Sequence, residues 1–194
     1  MLPLLSASAL LFLAGRVGLG SGWFYAATLG SGLALLLGWR YCAPRTRLSL
    51  ADAPVGLLAG LLLLLPSAVA TVLMARIPLF APLFEQVTGL LGESALHPWQ
   101  AVALFLVVLL NATAEELFFR EALPTRLSRY PAAISVLLYA AMTTVFGVVL
   151  LPVAAVVLAT AMYLLRTRTG GITAPIVAHI VWTSGMIGVV AALG

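Results

Sequence analysis

Long apolar runs separated by short polar stretches dominate the chain. A hydrocarbon core of about 30 Å needs roughly 20 apolar residues per crossing helix, fewer near the edges. Seven segments reach or approach that length: 2–14, 17–39, 54–75, 99–119, 132–150, 152–165 and 172–193. The first and sixth are short. The first also resembles a signal peptide, with Ala14 and Gly15 as small residues at its end, but it lacks a positive n-region. Residues 77–98, with Glu85, Glu93, Pro78 and Pro82, read as an interfacial loop or a short amphipathic helix. There is no fixed-period repeat and no low-complexity linker.

Composition turns this pattern into a fold class. Hydrophobic residues make up 63% of the chain and charged residues 8%. An ordinary soluble domain carries about a quarter charged residues, so most of this surface must meet lipid. The expectation is an all-α, polytopic membrane helix bundle of about seven transmembrane helices, forming one domain over 1–194. The lipid bilayer is its first partner. The +4 formal charge comes from arginines in short clusters, whereas nucleic-acid binding would need a continuous basic face. Cys42 is the only cysteine, which excludes intrachain disulfides and Cys-based zinc sites.

The arginines also orient the bundle. With a cytoplasmic N-terminus, Arg40, Arg45, Arg47, Arg126, Arg129, Arg166 and Arg168 fall inside. Arg16 and Arg76 fall outside, and Arg120 lies within or near the membrane. Seven against two is a positive-inside pattern, and it supports the seven-helix count. Residues 40–47, with Cys42 among them, are expected as a cytoplasmic loop.

Ionisable residues within a span are costly and point to function. The fourth span ends Asn111-Ala-Thr-Ala-Glu115-Glu116-Leu-Phe-Phe-Arg120-Glu121. Successive helix residues point about 100° apart, so Glu115 and Glu116 cannot share one partner equally. Glu116 and Arg120, four apart, suit an intrahelical ion pair. Asn111 stacks one turn from Glu115 and is placed to orient it. The plainer reading makes the two carboxylates a helix-end cap in the headgroup region. The last span holds His179, with Thr183 one turn on along the same face. A lone histidine there also has a plain reading, as a polar group bonded to a neighbouring carbonyl. His97, beside Pro98 and Trp99, reads as unrelated. At 1.5 Å per residue, Glu115 lies roughly 16 Å from Arg126, and His179 roughly 12 Å from Gly171. Both distances run from the cytoplasmic side, so carboxylate and imidazole share a depth. Together they describe a site in which a carboxylate takes a proton from water while an imidazole holds the water or an oxyanion.

At these residues the sequence resembles the CAAX-prenyl-protease-type (CPBP, or Abi) family of intramembrane proteases. That family carries Glu-Glu-x-x-x-Arg, then Phe-x-x-x-His, then His-x-x-x-Asn on successive helices. Glu115-Glu116-Leu-Phe-Phe-Arg120 fits the first motif, and the text from Tyr163 through Gly170 and Pro175 to His179 resembles the approach to the last. Two positions depart: Thr143 in Tyr139-Ala-Ala-Met-Thr143 stands where the family has histidine, and Thr183 where it has asparagine. The resemblance implies a catalytic core in 99–194, after N-terminal helices and an outer loop in 1–98. It implies Glu115 as general base, Glu116 and Arg120 as a positioning pair, and His179 as holder of water or oxyanion. Thr143 and Thr183 are then altered partners. Threonine is a poor metal ligand and Glu116 is engaged by Arg120, so a site without a cofactor is expected, with zinc as the alternative. The implied function is an intramembrane endopeptidase in a bacterial cell membrane, with a membrane-anchored or lipidated protein as substrate and C-terminal sorting as a variant. An inactive relative serving as a membrane binding or immunity partner is the second reading, and a small transporter the third.

Overall fold

The computed structural model describes residues 2–42, 46–91 and 98–193. They form eight α-helices: α1 (Leu2–Val17), α2 (Gly22–Cys42), α3 (Ala53–Arg76), α4 (Ala81–Leu91), α5 (Pro98–Glu116), α6 (Pro131–Thr143), α7 (Leu150–Thr169) and α8 (Thr173–Leu193). No strand occurs among the described residues. Each of the seven expected spans corresponds to one helix, and α4 is the short helix expected between the third and fourth. Four helical stretches are long and apolar enough to cross a membrane: Leu50–Arg76, Pro98–Arg126, Leu150–Thr169 and Thr173–Leu193. The chain is an all-α integral membrane bundle.

The outside of the bundle is its apolar side. On α3, Leu57, Leu58, Leu62, Leu65 and Val69 are exposed, while Gly56, Gly60 and Thr71 are buried. Lipid offers leucine an environment as apolar as a protein core, so burial goes instead to small and polar residues that let backbones approach. Gly56 and Gly60 make that approach against α8. A Cβ at Gly60 would lie 2.8 Å from the Ala178 carbonyl oxygen, and one at Gly56 would lie 2.5 Å from that of Ala174. This contact sets the position of α8, and therefore of His179 beside Ala178.

Several expected helix ends move. The first span runs on to Val17, so Arg16 closes α1. Likewise α2 continues through Arg40 to Cys42, which belong to its last turn and not to a loop. Arg45, Glu93 and His97 lie outside the described residues. The fourth span does not stop at Phe119, because a π-helical turn carries Leu117–Ala122 onward. Its register shift is fixed by Leu123 N–H donating to Phe118 O at 2.8 Å, and the Ser135 hydroxyl donates to the Phe119 carbonyl. The fifth span ends early, since Gly147, at φ 72°, turns the chain before α7. The sixth is longer than expected and takes Arg166 and Arg168 into its last turn, where cations complement the helix dipole. Gly170, at φ 68°, ends α7. The turn that follows is tied to the segment after α2: Ile172 N–H donates to Arg47 O at 3.1 Å, and Ser49 N–H to Thr173 Oγ1 at 2.9 Å.

Candidate active site

Three helices bring the site together. α5 supplies Glu115 and Glu116, α6 supplies Tyr139 and Thr143, and α8 supplies His179 and Thr183. Glu116 is fully buried. Its Oε2 lies 3.1 Å from Arg120 Nε, the expected ion pair across one helical turn. Its Oε1 meets His179 Nδ1 at 2.8 Å. The approach of Arg120 is a charge contact without hydrogen-bond geometry, and its Nη1 and Nη2 are buried with no hydrogen-bond partner among the described residues. The guanidinium instead lies 5.0 Å over the Tyr139 ring.

Glu115 faces the other way. Its side chain is 13% exposed against none for Glu116. Tyr139 donates its hydroxyl to Glu115 Oε2 at 2.9 Å, and His179 Nε2 lies 3.7 Å from the same oxygen. The two carboxylates thus share one imidazole unequally, each through a different ring nitrogen. With Nδ1–H donating to Glu116, Nε2 lies 3.5 Å from the Tyr139 hydroxyl and is an acceptor toward the cavity, or a donor when the ring is protonated. The similar depth expected for Glu115 and His179 is what the structure shows.

Above them stands a cavity of about 330 Å³, lined by Glu115, Tyr139, Thr143, His179 and Thr183 within largely apolar walls. Thr143 donates its hydroxyl to Ala140 O at 2.8 Å, so it offers the cavity only an acceptor. Thr183 Oγ1 is buried with no hydrogen-bond partner among the described residues. The role expected of Asn111 is not observed. Its Nδ2 donates to Thr28 O at 3.0 Å and Val107 O at 2.9 Å, tying α5 to α2. Tyr139 takes the orienting role instead. Its place four residues before Thr143 marked it only as the aromatic of a motif, and its phenol hydroxyl was the available signal. Below the site, Glu121 pairs with Arg166 at 2.6 Å, a contact between α7 and the π-helical turn.

Among the described residues, no group of three His, Cys, Asp or Glu side chains is arranged to hold a metal ion. Glu116 has both oxygens engaged, which leaves Glu115 and His179 Nε2 as a two-donor set. Structural and catalytic zinc sites use three or four protein ligands, so these residues do not fit one.

No curated protein and no solved structure matches the chain. Residues 97–185 match the family model described as Type II CAAX prenyl endopeptidase Rce1-like, a stretch that holds every residue of the site just described. Over residues 97–185 the chain is therefore similar to the Rce1-like endopeptidases of the CPBP family, and that similarity supports a protease, a hydrolase.

Proposed function

We propose that this protein is an intramembrane endopeptidase in which Glu115 activates a water without a metal, cleaving near the C-terminal membrane segment or lipidated tail of a membrane-anchored protein. The observation that carries the reading is the pairing of Glu115 with His179 on the floor of a cavity, with Glu116 buried beneath and held by Arg120. Glu115 takes a proton from water as the hydroxide forms its bond to the peptide carbonyl carbon. The oxyanion is met by the Thr183 hydroxyl, which no other described residue engages, and by Nε2–H of His179 in its protonated form. On collapse the C–N bond breaks, the leaving amine takes the proton from Glu115, and the carboxylate is restored. Tyr139 keeps Glu115 aimed at the water. Localisation in a bacterial cell membrane with a cytoplasmic N-terminus belongs to the same proposal and is supported by the arginine distribution.

The test compares membrane-protein termini, by mass spectrometry, in cells making the wild type or Glu115→Gln. The amide keeps volume but cannot take the proton, so termini formed by the wild type should fall on the order of 100-fold. They should persist when a chelator is added to isolated membranes. Unchanged termini in Glu115→Gln would sink the glutamate mechanism, and chelator loss rescued by zinc would sink the metal-free one. One observation favours a second reading, an inactive relative that binds a membrane partner: Thr143 commits its only proton to Ala140. That reading predicts no wild-type-dependent termini at all.

A further inference from the structure

The cavity above Glu115 has a direction. On α5 its walls come only from Glu115 and residues before it, and on α8 only from His179 and residues after it. The remaining walls include Gly18 in the turn between α1 and α2, Phe24 at the start of α2, Gly89 of α4, Phe146 after α6 and Leu151 at the start of α7. All of these lie at one end of the bundle. The other end is closed beneath the site by Glu116 with Arg120, by the Glu121–Arg166 pair, and by buried Phe118 and Phe119.

Charge distinguishes the two ends. Among the described residues the closed end carries Arg40, Arg47, Arg126, Arg129, Arg166 and Arg168, and the open end only Arg16 and Arg76. Arginine-rich connections stay in the cytoplasm. The open end is therefore the outer one. The amphipathic α4 frames it, with Gln86 Oε1 accepting from Val149 N–H at 3.2 Å in the turn before α7.

We infer that the site opens to the extracytoplasmic side of the membrane and takes an extended apolar segment of an already translocated protein, not a lipidated tail presented in the cytoplasm. The inference rests on the proteolytic reading for its substrate, and on cavity and charge for its side. A two-sided accessible pocket would not tell these substrates apart. On the arginine-rich side this one is closed by the buried Glu116–Arg120 pair and the part-buried Glu121–Arg166 pair, so its lining leads to the other end.

The test is thiol labelling of intact cells by a charged, membrane-impermeant maleimide, in the full-length protein with Cys42→Ser. Leu151→Cys reports the cavity mouth. Leu48→Cys, at a position 71% exposed at the arginine-rich end, reports the other side. Leu151→Cys is expected to label in intact cells to the level reached after permeabilisation, and Leu48→Cys only after it. Shielding of Leu151→Cys until the cells are opened, or labelling of Leu48→Cys from outside, would overturn the inference. Should Leu151→Cys fail to accumulate, Ala154→Cys, one turn deeper on the same wall, carries the test. Labelling needs no catalysis, so failure of the glutamate mechanism leaves this result standing, and the reverse also holds.

Discussion

At the scale of single residues, the two adjacent glutamates differ by what surrounds them. Glu116 joins Arg120 and His179 in a fully buried cluster, and Glu115 meets the cavity. Removing one member of a buried charge pair leaves the other uncompensated. Glu116→Gln is expected to destabilise the protein by about 3 kcal/mol or more, read as a lower unfolding temperature in detergent. Unchanged stability would show that Arg120 needs no counter-charge. Tyr139→Phe keeps the ring over Arg120 but removes the bond to Glu115. A hydrogen bond to a charged group contributes about 1.5–3 kcal/mol, so formation of the cleaved termini should slow by roughly ten- to hundred-fold. Stability should stay near wild type, because no apolar volume is lost. The sequence made Glu115, Glu116, Arg120 and His179 legible, since charge within an apolar span stands out by itself. It did not disclose that one imidazole bridges both carboxylates, nor that Asn111 serves α2. Side-chain direction across three helices decides those partners, and spacing along one helix carries no information about it.

At the scale of elements, close helix contact is what fixes the site. α3 reaches α8 through Gly56 and Gly60, four apart, a small-residue pattern present in the sequence but silent until its partner helix is known. Gly60→Leu is expected to push α8 away from α3, where overpacking costs about 1–3 kcal/mol, and to carry His179 off Glu116. The protein should remain in the membrane with a lowered unfolding temperature and weakened cleavage. A variant of wild-type stability and activity would show that this contact does not position His179. Helix ends were the least legible feature. The π-helical turn after Glu116 follows from Ser135 taking up the Phe119 carbonyl, a contact 16 residues away in sequence. The early end of the fifth span, with α6 stopping at Thr143 and the chain turning at Gly147, follows from a left-handed turn that the apolar run concealed.

At the scale of the whole molecule, hydropathy anticipated the bundle, because lipid leaves few other ways to satisfy a backbone. The cavity could not be anticipated, since it is what seven packed helices leave unfilled. The orientation makes its own prediction. The segment 126–130 joins α5 to α6 and holds exposed Arg126 and Arg129. Trypsin should cut there in inside-out membrane vesicles and leave right-side-out vesicles intact. The opposite pattern would invert the topology. The central claim is that Glu115 and His179 act as one water-activating unit, and a double-mutant cycle on cleaved termini in cells addresses it most directly. Groups that work as a unit lose nearly everything when either is removed. The account predicts that Glu115→Gln, His179→Gln and the double variant are depressed to the same level. Losses that multiply, or full cleavage by either single variant, would contradict it.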